Sequence, residues 1–381
     1  MRKHLAALGL AVAVAAACEP NRNITDPDAS LLARAERDDD DRDDDRGARA
    51  VYTITNAASG NAVVVYARAA DGTLSPAVTY PTGGTGTGTS LGSQGAVALS
   101  EDGRVLFAVN AGSNDISVFH VRQSGLTLAT RFPSGGIQPT SMTLRDNLVY
   151  VLNAAGNGSI SGFRITRRAG ITPIAGSTQS LSGAATAPAQ VSFSPDGRRL
   201  IVSERATSLL GVYPVDRHGV AGAGTTYPST GGTPFGFAFR YDNTLFVSEA
   251  AAPGSASSYD LGRSGRLRLV SGAIATHQGA PCWAVVTEDG RFGYTGNGAG
   301  SVSGFRIARD GSISLLNADG ATAVVNTGVN DIALSNNSRY LYVLGTGAAP
   351  ELHAYRVQRD GQLQALGAVA LPEGSRGLVA F

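Results

Sequence analysis

The chain has 381 residues, 49 of them glycine, and only 16% are charged. The 31 basic and 30 acidic residues nearly cancel and form no basic stripe, which argues against nucleic acid as a partner. A glycine-rich, charge-poor chain suits many short strands joined by tight turns better than it suits helices.

The N-terminus begins with the basic Met1-Arg2-Lys3-His4, and Leu5 to Ala17 follow as an uninterrupted apolar run. Residues 1–18 therefore read as a signal peptide, because the run falls short of the ~20 residues that span a bilayer. It ends Ala15-Ala16-Ala17-Cys18, which resembles the lipobox of bacterial lipoproteins. Lipid anchoring at Cys18 and plain cleavage with release both stay open. Both place the protein outside the cytoplasm, at the periplasm or cell surface, with membrane contact only through a lipid on Cys18. Residues 19–50 carry the run Asp38-Asp39-Asp40-Asp41-Arg42-Asp43-Asp44-Asp45 and read as a disordered acidic tether. Cys18 and Cys282 are the only cysteines, so no disulfide framework is expected. A large buried core must supply the stability.

From Val51 to Phe381 one phrase recurs seven times. An apolar stretch leads into an Asp-Gly type turn, a second apolar strand ends in Asn or Glu, and a third strand ends on an aromatic. Among the second strands are Leu106-Phe107-Ala108-Val109-Asn110, Leu200-Ile201-Val202-Ser203-Glu204 and Leu341-Tyr342-Val343-Leu344-Gly345. The spacing is about 48 residues, as expected for four-stranded propeller blades. Outer turns such as Asp71-Gly72 and Asp360-Gly361, and inner turns such as Asp102-Gly103 and Asp196-Gly197, account for most aspartates of the body. The body opens in a second strand, and Arg376 to Phe381 reads as an innermost strand with no successor. Residues 51–381 are thus expected to form an all-β, seven-bladed β-propeller with four-stranded blades, its ring closed by the C-terminal strand pairing with the N-terminal blade.

In such a blade the start of the innermost strand and the end of the second strand share one face, so seven such pairs ring a mouth. The starts are marked by Gly-x-x-Pro-like phrases such as Gly232-Thr233-Pro234 and Gly279-Ala280-Pro281. Once the turn aspartates are set aside, Glu204, Glu249 and Asp331 are the leading carboxylates for a pocket there. Glu204 and Glu249 could act as general base, charged clamp or cation ligands, or could simply accept backbone hydrogen bonds at a strand end. Arg205 and Arg376 could hold an anionic substrate or pair with a glutamate. Asn110, Asn153, Asn297 and Gln190 complete the expected lining.

Of five histidines only His277, just ahead of an innermost strand, is placed to serve as acid or base; a plain loop role is the alternative. Histidine-cluster metal sites are excluded, and with Lys3 the only lysine, so is Schiff-base chemistry. No cofactor is expected, a divalent cation at the channel mouth remaining open. Gly88-Thr89-Ser90-Leu91-Gly92 has the spacing of a nucleophile elbow, but no strand–helix context surrounds it. Cys282 beside Trp283 reads as a small buried apolar group rather than a reactive thiol.

The phrases Leu99-Ser100-Glu101-Asp102-Gly103-Arg104, Phe193-Ser194-Pro195-Asp196-Gly197-Arg198 and Val109-Asn110-Ala111-Gly112-Ser113-Asn114 resemble the lactonase family of seven-bladed propellers. That family includes 6-phosphogluconolactonases and the enzymes labelled 3-carboxymuconate cyclases. Its motifs are largely turn chemistry and specify the fold more than the reaction. Family members carry Pro-Arg-His before an innermost strand and Asn-Glu at the end of the next. Here the corresponding phrases are Pro188-Ala189-Gln190 and Ser203-Glu204, which keep the glutamate and lose the cations. The resemblance implies an exported lactone hydrolase, or a lactonising enzyme of the muconate cycloisomerase kind, acting as a monomer on a small lactone or organic acid. A non-catalytic envelope propeller that binds a ligand or protein partner is the alternative from a different class.

Overall fold

The structure, a computed structural model, describes residues 49–166, 170–325 and 327–381. The leader, Cys18 and nearly all of the acidic stretch lie outside these residues. Seven antiparallel sheets follow one another along the chain. Blade 1 starts at Ala50, and blades 2 to 7 start with the inner strands at Val97, Pro139, Pro188, Pro234, Pro281 and Gly328. Blades 3 and 6 each add a two-residue strand at the rim, Gln179–Ser180 and Ala323–Val324.

The turns form for the reasons read from the sequence. At the inner hairpins the aspartate side chain accepts from the backbone two residues on, Asp102 from Arg104 N (3.1 Å) and Asp196 from Arg198 N (3.0 Å). The outer-turn glycines have left-handed φ angles and tight surroundings. A side chain at Gly72 (φ 94°) would fall 2.2 Å from the Tyr340 ring of the preceding blade. Buried second-strand tyrosines tie the blades together through these same turns. Tyr150 donates to Gly219 O (2.6 Å), Tyr294 to Gly361 O (2.7 Å) and Tyr342 to Gly72 O (3.0 Å), each in the next blade.

The ring closes as expected. The strand Arg376–Ala380 pairs antiparallel with Ala50–Ile54, Val51 opposite Ala380 and Tyr52 opposite Val379. Thr53 Oγ1 donates to Arg376 O (3.0 Å), and Arg68 Nε holds the Phe381 carbonyl (3.0 Å).

Two features shape the axis. The inner strands of blades 3 to 7 shift register at their start, for example between Pro188 and Gln190. In four of them the residue before the proline, Gln138, Ala187, Thr233 or Ala280, has a left-handed φ of 47–58°. In addition, the segment leading into blade 2 crosses the axis. The Gln94 amide donates to Ala284 O of blade 6 (2.8 Å) and accepts from its N–H (2.9 Å). The Gln94 N–H donates to Ala189 O of blade 4 (3.1 Å), and Trp283 Nε1 donates to Ser93 O (3.1 Å). Ser93–Gln94 therefore plugs the channel. Beyond it, towards the inner hairpins, lies a cavity of 520 Å³ lined by inner-strand residues with Gln94 and Gln190.

Candidate functional site

The polar residues that end the second strands point along the blade and not into the channel. Glu249 is fully buried; its Oε1 accepts from Ser229 Oγ (2.8 Å) and Gly231 N (2.8 Å), and its Oε2 from Ser255 Oγ (2.7 Å). Glu204, also fully buried, accepts from the Ser182 N–H (3.0 Å) and hydroxyl and from Thr207 Oγ1 (2.8 Å). Asn110 donates to Asp115 and Ser117, Asn153 to Ser134 O and Ser161, and Asn297 to Ser301 and Ser303. In five blades, then, this position clamps the start of the third strand or the loop beside it. The expectation that Glu204 and Glu249 face a shared pocket is corrected: saturated with donors and shut from water, they have neither the access nor the free lone pairs of a general base. Asn110, Asn153 and Asn297 leave the lining because they are buried and their amide nitrogens are spent on groups within their own blade.

Gln190 is likewise structural. Its amide pairs with both backbone groups of Phe237 in blade 5 (2.9 and 2.7 Å). His277 is exposed in the loop before blade 6, where its neighbour Gln278 reaches Asp319 O and Ser301 of the same blade. Ser90 is exposed and accepts from Gly92 N (3.2 Å) in a turn with no helix after it, so the elbow reading fails. Burial pushes the Cys282 thiol up to about 12, the positive charge of Arg205 only partly opposing this, so it is no thiolate.

Three expected residues do reach the axial region. Arg205 donates through Nε to Ala187 O (3.0 Å) and lies over the Phe235 ring at 5.2 Å. A side chain at Gly92, in the segment before blade 2, would fall 2.9 Å from its Nη2, which places this blade 4 guanidinium over the axis. Arg376 donates to Ser375 O (2.7 Å), and with the Asn330 amide oxygen turned towards it, also to Asn330 (3.1 and 2.8 Å). Burial lowers both guanidinium pKa values, and among the described residues neither has a carboxylate within ion-pair distance.

Asp331 is fully buried one residue from Asn330. Its Oδ1 accepts from Ile332 N (2.8 Å) and its Oδ2 has no partner. Burial raises its pKa well above the carboxylate range, against weaker opposing hydrogen bonds from Ile332 and Leu378. The unfolded chain ionises first as pH rises, so Asp331 favours folding at acid pH and loses that contribution towards its native pKa. Urea titrations should show wild-type stability falling by about 1.4 kcal/mol per pH unit above pH ~4 on this account, a slope that Asp331→Asn removes. Identical pH profiles would refute the assignment.

Arg376 opens onto a pocket of 460 Å³ at the junction of blades 7 and 1, lined also by Asn56, Asn330, Thr346 and Glu373. Glu373 escaped notice because the segment Pro372-Glu373-Gly374 lacks the proline that opens the inner strands of blades 3 to 6. It is exposed, and among the described residues it is the only carboxylate lining this pocket.

This fold can now be set beside known proteins. Residues 46–175 match the family described as Lactonase, 7-bladed beta-propeller. Among solved structures, the periplasmic gluconolactonase of Pseudomonas aeruginosa is 17% identical, with 86% of this chain and 98% of that one covered and a TM-score of 0.67. A Bacteroides fragilis protein provisionally described as a 6-phosphogluconolactonase is 16% identical, with coverage of 87% and 97% and a TM-score of 0.68. A Lactobacillus plantarum protein is 17% identical, with coverage of 87% and 98% and a TM-score of 0.69. No protein of curated function matches the chain. The family match covers residues 46–175, about a third of the chain, and the whole described body shares the seven-bladed β-propeller fold of these structures.

Proposed function

We propose that this propeller is an exported lactone hydrolase whose reaction takes place in the Arg376 pocket. The carrying observation is that, among the described residues, a guanidinium without an ion-pair partner and a single accessible carboxylate, Glu373, line one cleft with the amides of Asn56 and Asn330. Glu373 takes a proton from water as its oxygen attacks the lactone carbonyl, and Arg376 stabilises the oxyanion that forms. Collapse breaks the acyl–oxygen bond, the ring oxygen takes the proton back from Glu373, and a hydroxy acid leaves. The absence of cations at Ala189 and Gln190 favours an uncharged lactone over a phosphosugar or tricarboxylate. The apolar leader and Cys18 support export, with lipid anchoring as one route.

The test is hydrolysis of glucono-δ-lactone and 6-phosphogluconolactone, corrected for buffer hydrolysis. Arg376→Gln and Glu373→Gln are each expected to lower kcat/KM roughly 10²-fold or more with unchanged melting. Wild-type turnover at the buffer rate, or variants equal to wild type, would overturn the reading. A second reading, a ligand-binding module without catalysis, is favoured by the use of Glu204 and Glu249 as clamps, and it predicts lactone or aldonate binding without turnover.

A further inference from the structure

Blade 7 breaks the clamp pattern. Gly345 stands opposite Glu351 as Asn110 stands opposite Asp115, Glu249 opposite Ser255 and Asn297 opposite Ser301. It has no side chain to send to the third strand. Where blades 2, 3, 5 and 6 place Ser117, Ser161, Ser257 and Ser303, blade 7 has His353. Three polar groups converge on the vacated slot. From the point where a Gly345 side chain would begin, Thr327 Oγ1 lies at 2.7 Å, His353 Nε2 at 3.1 Å and Glu351 O at 3.2 Å. His353 Nε2 and Thr327 Oγ1 are both buried without a hydrogen-bond partner, and the half-exposed Glu351 carboxylate is 3.8 Å from Nε2.

In its neutral form the His353 imidazole offers a lone pair. Imidazole nitrogen, carboxylate, carbonyl and hydroxyl oxygens all present lone pairs to one space, which calls for a cation. Two unpartnered buried groups at one slot are costly unless something fills it. We propose that the blade 7 slot is a metal site that takes a divalent cation of the zinc class through His353 Nε2, Thr327 Oγ1, Glu351 O and the Glu351 carboxylate. A nitrogen donor with oxygen partners suits zinc better than calcium or magnesium, whose ligands are oxygens. The slot uses only two His, Cys, Asp or Glu side chains, and among the described residues no cluster of three exists. The other two donors are a hydroxyl and a carbonyl, which sequence spacing does not reveal.

The chain, stripped with chelator, is titrated with zinc chloride while thermal unfolding and binding heat are followed. Wild type should bind in the micromolar range and melt several degrees higher when saturated. His353→Gln should weaken zinc binding at least tenfold. Gly345→Asn should fill the slot, where its Cβ meets Thr327 Oγ1, His353 Nε2 and Glu351 O at 2.7–3.2 Å, and abolish binding. The Gly345 φ is outside the left-handed region, and the Thr327 hydroxyl can rotate away from the new side chain. No zinc-dependent shift in wild type, or an equal shift in His353→Gln, would overturn the site; the latter result would point to the N-terminal aspartates. Arg376→Gln should keep the full zinc response, so this proposal and that of the lactone pocket can fail separately.

Discussion

Removal of residues 376–381 is expected to leave the protein insoluble, or soluble but without a cooperative thermal transition. The lost strand is the innermost of blade 1, held by the Val51–Ala380 and Tyr52–Val379 pairs and by the Phe381 N–H to Ala50 O bond (3.0 Å). Its Leu378 and Ala380 side chains are buried in a core shared by blades 7 and 1. Deletion would bare the backbone edge of Ala50–Ile54 in a strand buried at every position, which is a template for association with a second chain. It would also remove Arg376 and one wall of the pocket. Unchanged solubility and melting in the truncated protein, measured by sedimentation and calorimetry, would contradict ring closure by this strand.

Glu249→Ala should destabilise the fold by about 3 kcal/mol or more, because it strands three donors at once: Ser229 Oγ, Gly231 N and Ser255 Oγ. Glu204→Ala should behave alike through Ser182 and Thr207. The readout that separates a clamp from a catalytic base is the milder Glu249→Gln at a temperature where it stays folded. As a clamp variant it should melt earlier yet keep kcat near wild type. As a base variant it would lose turnover while melting normally, and that outcome would return Glu249 to the chemistry.

The sevenfold ring was legible because it is written in turn chemistry. Asp102, Asp196 and Asp289 each accept from the backbone two residues on, and the outer-turn glycines meet φ angles that other residues resist. Such local requirements leave local marks. The site was less legible because a polar residue at a strand end reads the same whichever way it points. Glu249 could have faced the channel; the register opposite Ser255 turns it into the blade instead. Arg205 and Arg376 stood out as cations beside strand ends, whereas Glu373 carried no mark of its own. Gly345 did carry one, since it is the exception in a column otherwise filled by Asn or Glu in blades 2 to 6, but its meaning needed the Thr327 and His353 contacts.

The bridge from Gln94 to Ala284 has a consequence for traffic. A ring with an open bore could admit a solute at one end and discharge it at the other. This one is closed by Ser93–Gln94, so a molecule that enters the bore on one face must leave by the same face. Under the hydrolysis proposed above, accumulating hydroxy acid would compete with incoming lactone on that face, and turnover would be throttled by release of the charged product.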